Sequence, residues 1–204
     1  MKLSFAFLLL SMPAMALPMM AQDGEKKPSS PTPARLDQKD KQPLPGKISP
    51  EMQKFFNAFV GSWSLRETIE PSESAPNGGT GSGEVVFRPG PGGNSIIEEI
   101  RLVEPTGESI GLGLGWWDEK ARGYRTVWCE NGNPGGCIVM ARLANWEGDQ
   151  FVAGDEFERN GKKFVFKEVL SDITPTSYTQ TLYQGEAGKE LKKLATIHAT
   201  RSNH

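Results

Sequence analysis

Two cysteines, two histidines and a set of carboxylates spaced among aromatic residues are the side chains in this sequence with reactive potential. Cys129 and Cys137 flank a single turn, Glu-Asn-Gly-Asn-Pro-Gly-Gly. A catalytic thiol there needs a base beside it, and only His198 and His204 exist to supply one. Neither is placed near a cysteine by its sequence position, and no H-x-x-x-H or C-x-x-C spacing offers zinc a tetrahedral site. The expectation is a Cys129–Cys137 disulfide stapling a hairpin, with no metal and no cofactor.

The carboxylates sit where a strand would turn them inward. Glu67 is in phase with Trp63, Leu65 and Ile69, Asp155 with Phe151, Ala153 and Phe157, and Glu168 with Phe164, Phe166 and Leu170. Arg142 shares parity with Ile138 and Met140, and Thr126 falls between Tyr124 and Trp128. A packed core rejects that many charges, since each needs a partner in low dielectric. A partly wet lumen accepts them, because a small binding cavity combines aromatic walls with a few polar anchors. Outward-flipping bulges, or an Arg142–carboxylate network, are the structural alternative. Acid/base chemistry by paired carboxylates requires a separation that spacing along the chain does not establish.

These residues must be held by short strands. Ser49-Pro50-Glu51 supplies an N-cap, a first-turn proline and an early acid, and Met52, Phe55, Phe56, Phe59 and Val60 follow at helical spacing until Gly61. From Trp63 onward the period becomes two, and turn signals recur roughly every 8 to 14 residues. The nine turns divide the chain into ten strands, among them 122–130, 137–146 and 194–201. No helical pattern interrupts them, which excludes a parallel sheet with crossovers and leaves an antiparallel up-and-down arrangement. The expectation is an all-β antiparallel barrel of about ten strands, closed to remove its edges, with the 51–60 helix plugging one end. An open sandwich is the alternative.

Phe59-x-Gly61-x-Trp63 at the entry to the first strand is similar to the G-x-W signature of lipocalin-like, or calycin, barrels. The stretch from Gly113 to Trp128, a glycine-rich strand, a Trp-Asp turn and an aromatic strand, resembles the bacterial domain-of-unknown-function family 1579 across residues 52–201. That resemblance implies a calycin-type barrel and no particular activity. The cysteine pair departs from it. In calycins a basic residue late in the last strand commonly packs on the signature tryptophan, which implies Arg201 against Trp63. A second analogy, to haem-binding nitrobindin barrels with a late histidine ligand, meets a parity objection. His198 lies three residues from Arg201 and so points to the opposite, outer face.

Lys2 followed by an apolar run to Leu17 reads as a secretory signal peptide, cleaved after Ala16 or Ala21. The run is too short to span a bilayer. Residues 22–50 hold six prolines, ten charged residues and no aromatic, and read as a disordered linker. The domain expectation is therefore signal 1–21, linker 22–50 and barrel 51–204, in a protein that is periplasmic or secreted. The net charge is -2, and the barrel segment alone carries 16 basic against 21 acidic residues. That balance argues against nucleic acid as a partner, and no protein partner is indicated. The function expected is binding of a small, partly apolar molecule on Tyr124 and Trp128, anchored by Arg142 with Glu67, Asp155 and Glu168 as secondary groups. An inward Arg142 favours an acidic ligand, with neutral polar ligands the alternative if the three carboxylates neutralise it. A side-chain-filled structural barrel is the alternative, and a cavity enzyme a further one.

Overall fold

The computed structural model describes residues 47–72, 75–133 and 135–202. The expected signal peptide and all but the last residues of the expected linker lie outside the described residues. Helix α1 (Pro50–Phe59) begins where Ser49 Oγ accepts the Met52 amide at 3.1 Å, with proline in the first turn. It buries Met52, Phe55 and Phe59. Burying each of these side chains is worth roughly 1.5–3 kcal/mol, enough to hold a ten-residue helix that would melt in isolation.

Eleven strands follow in an all-antiparallel sheet: β1 (Gly61–Ile69), β2 (Gly79–Pro89), β3 (Ile96–Glu104), β4 (Gly107–Asp118), β5 (Gly123–Glu130), β6 (Cys137–Val139), β7 (Asn145–Glu147), β8 (Gln150–Arg159), β9 (Lys162–Ser171), β10 (Ser177–Glu186) and β11 (Lys192–Arg201). Their spatial order is β6-β5-β4-β3-β2-β1-β11-β10-β9-β8-β7, so nearly every strand pairs with its chain neighbours and β1 pairs with β11. Short turns with period-two patterning leave no other economical arrangement, because crossover connections need a dozen or more residues. The sheet curls around an apolar core that includes Phe55, Phe59, Trp63, Phe87, Tyr124 and Phe151.

The strand expected over 137–146 is two strands, which raises the count from ten to eleven. β6 pairs with β5, and β7 pairs with β8. Between them, Ala144 exchanges both backbone hydrogen bonds with Tyr124. The five steps of chain from Val139 to Ala144 oppose only three from Val127 to Tyr124, which makes a bulge. At the bulge the Ala141 amide leaves the ladder and donates to Asp155 Oδ1 at 2.9 Å. One segment thus hydrogen-bonds to β5 at its start and to β8 at its end, joining the two flanks of the sheet.

Candidate functional site

Inside the curl lies a cavity of about 350 Å³. Its base is aromatic: Phe55 of α1, Phe87 of β2, Tyr124 of β5, Phe151 of β8 and Tyr178 of β10. One wall is β4, where Gly111, Gly113 and Gly115 turn inward while Ile110, Leu112 and Leu114 face out. Glycine at these positions leaves room for the Trp128 indole, which lies across Gly111. A Cβ placed on Gly113 would stand 2.9 Å from Glu98 Oε2 and 3.5 Å from Trp128 Cε3. Carboxylate and indole therefore flank the same bare stretch of backbone from either side. Trp128 Nε1 donates to Glu130 Oε2 at 3.1 Å.

The polar lining is acidic. Glu67 from β1, Glu98 and Glu104 from β3, Glu130 from β5 and Glu168 from β9 all contribute, while among the described residues no Lys, Arg or His lines the cavity. Glu67 is 5% exposed, and its Oε2 is wholly buried. Burial, then the charge of nearby Glu104 and a side-chain hydrogen bond shared with it, raise its carboxyl to about 7. Burial raises Glu98 to about 8, with Glu168 adding like-charge repulsion. Glu168 rises to about 7 through burial, against the opposing effect of Gln180 Nε2, which donates to its Oε1 at 2.7 Å. Glu98 and Glu168 each keep some accessible surface, and it faces the cavity. The Tyr124 hydroxyl is committed to the Glu51 carbonyl at 2.7 Å, and burial pushes its phenol up to about 12. Tyr178 is also held well above the usual phenol range by burial, then by Glu98 and Glu168.

Of the residues singled out from sequence, Tyr124, Trp128, Glu67 and Glu168 line this cavity, and Arg142 and Asp155 do not. Arg142 requires correction. It sits in the bulge after Met140, exposed, and its guanidinium pairs with Glu156 on the outside. The parity argument assumed a regular strand, and the extra residues break that parity. Asp155 has the inward parity expected, but its carboxylate is taken by the Ala141 amide. The inference of an acidic ligand loses its cation with Arg142.

Glu98 was missed, although its signal was present: it alternates with Ile96, Ile100 and Leu102 as Glu67 does with its neighbours. The inward glycines of β4 were missed as a wall for the opposite reason, since glycine leaves no hydrophobic phase to read.

At the helix-bearing end, Trp63 is fully buried and donates from Nε1 to the Phe59 carbonyl at 2.7 Å. The Arg201 guanidinium lies 4.1 Å from the Trp63 ring centroid and donates to the carbonyls of Val60 at 2.8 Å and Pro175 at 2.6 Å. Gly61, with φ of 134°, leaves the space through which that guanidinium passes. His198 is exposed on β11, opposite Arg66, and sits 3.4 Å from the Thr179 hydroxyl. Cys129 and Cys137 are disulfide-bonded and directly opposed across β5 and β6. Among the described residues no three His, Cys, Asp or Glu side chains converge as a metal-ligand set, and no helix is long and apolar enough to cross a membrane.

This arrangement defines the protein as a curled antiparallel β-sheet protein with an internal, acid-lined cavity. Among solved structures, Rv2717c from M. tuberculosis is similar to it at 15% identity and a TM-score of 0.51, covering 77% of this chain and 100% of the other. That likeness supports a barrel fold and nothing finer. Weaker likenesses are to the S-type phycobiliprotein lyase CPES from Guillardia theta, with 12% identity, TM-score 0.48 and coverage of 76% and 94%. A redesigned β barrel, mFAP0, bound to DFHBI, gives 14% identity, TM-score 0.39 and coverage of 71% and 99%. Neither carries an argument at those scores. No protein-family model matches the chain, and no curated protein does.

Proposed function

We propose that this chain is an exported binding protein, a calycin-type barrel of the family-1579 kind, that takes a small, partly apolar molecule into its lumen. In this reading α1 plugs one end and the β6–β7 segment closes the wall. The observation that carries the proposal is the cavity itself. A filled structural barrel has side chains where this one has about 350 Å³ of space, three inward glycines and a Trp128 face. That volume falls within the range of small-molecule sites. The disulfide is compatible with an oxidising compartment, and so supports export.

Native mass spectrometry of the protein purified from its own envelope fraction tests the reading. A retained mass that is released on unfolding is the expected result. A bare protein, together with no saturable change in tryptophan fluorescence across apolar amines, alcohols and acids, would leave a structural barrel as the better account.

A further inference from the structure

We infer that the cavity selects organic cations: an amine carried on a compact apolar body, with the ammonium held between the Glu98 and Glu168 carboxylates and the Trp128 indole. This rests on the binding reading above and specifies its ligand class. Two observations lead to it independently.

The first is charge. Among the described residues five glutamates line the cavity, and no cationic side chain lines it to neutralise them. An anionic ligand would add a further like charge to a low-dielectric site, whereas an ammonium supplies the missing one. The second is geometry. Glu98 Oε2 and Trp128 Cε3 both border the space above Gly113, 2.9 Å and 3.5 Å from where a Cβ would stand, so a carboxylate and an indole flank one gap. That pairing is how proteins hold alkylammonium groups, through a salt bridge on one side and the ring quadrupole on the other.

The apolar remainder of the lumen, from Ile96, Ile100, Leu102 and Phe166 to the aromatic base, would take the ligand body. The groups facing the ammonium are Glu67 from β1, Glu98 and Glu104 from β3, Tyr124 and Glu130 from β5, Glu168 from β9 and Tyr178 from β10. All of these are neutral or negative. The carboxylates raised by burial become charged only towards pH 7 to 8, so cation binding should strengthen as pH rises through that range. A neutral ligand should show no such gain.

The test uses three probes that share one ring system: 1-naphthylmethylamine, 1-naphthylmethanol and 1-naphthylacetate, titrated calorimetrically into the purified protein at pH 8 and pH 5.5. The expected result is amine binding at least tenfold tighter than alcohol at pH 8, with no acetate binding. The amine should weaken at least fivefold at pH 5.5 while the alcohol does not. Glu98→Gln and, separately, Glu168→Gln should bring amine affinity down to the alcohol's without weakening the alcohol, with unchanged circular dichroism showing that each is folded. Alcohol equal to or tighter than amine, or acetate binding best, would overturn cation selection while leaving lumen binding intact. No binding by any probe would overturn both. If one variant fails to fold, the other and the pH series decide.

Discussion

Two arginines separate what a side chain's type suggests from what its position permits. Arg142 sits in a bulge and pairs with Glu156 in solvent, so it contributes little to stability and nothing to the cavity. Arg201 instead caps the buried Trp63 and donates to two backbone carbonyls that would otherwise lack that donor. Arg201→Ala should cost about 2–3 kcal/mol, from the lost cation–π contact and the lost charge-assisted hydrogen bonds, with strand content in circular dichroism unchanged. Arg201→Lys should recover only part of this, because a point charge cannot reach both carbonyls as a planar fork does. A denaturation midpoint within error of wild type for Arg201→Ala would remove the structural role assigned to it.

At the scale of the element, strand β4 carries an unusual division of labour, with apolar side chains outward and glycines inward. Gly111→Ala places a methyl group against the Trp128 ring, so the indole must move or the strand must bow. The expected outcome is a shifted tryptophan emission maximum, a loss of about 1–3 kcal/mol from overpacking, and weaker binding of any lumen ligand. An emission spectrum identical to wild type would mean that the indole does not lie on the glycine wall. The β5–β6 hairpin is held differently. Its cysteines are eight residues apart, and closing so short a loop is worth about 2–3 kcal/mol by chain entropy. Thiol titration of the unfolded, unreduced protein should find no free thiols, and reduction should lower the thermal midpoint without abolishing folding. Two titratable thiols would show that the bond is absent from the protein as purified.

For the molecule as a whole, the acid-lined lumen sets the pH dependence of stability. Glu67 and Glu168 are raised to about 7 and Glu98 to about 8, so the folded state holds protons that the unfolded chain has released. A carboxyl raised on folding stabilises fully below its unfolded value and loses that contribution as pH climbs through its folded value. Stability of the ligand-free protein should therefore fall between roughly pH 4.5 and pH 8. Asp118 and Glu186 are shifted the other way by Arg125 and Lys189, and they act only below that window. Thermal scans at pH 5, 6.5 and 8.5 and constant ionic strength should show a midpoint dropping by roughly 5 °C or more across the series. Glu98→Gln should flatten the drop, and a midpoint that rises with pH would contradict the burial of these groups.

The all-β class, the single capped helix and the sequential antiparallel order were legible in the chain, because each rests on local periodicity and turn chemistry that no distant contact overrides. The pairing of Trp63 with the late arginine followed from a resemblance, and the inward parity of Glu67 and Glu168 from alternation along regular strands. Tertiary structure alone decided where that alternation stops. Whether the segment after Cys137 stays with β5 or crosses to β8 depends on hydrogen bonds between residues far apart in sequence, and the resulting bulge is what turns Arg142 out. The lumen's charge was settled in the same way: it is a sum over side chains from separate strands, and with Arg142 outside and Glu98 inside, that sum holds carboxylates and no cation among the described residues.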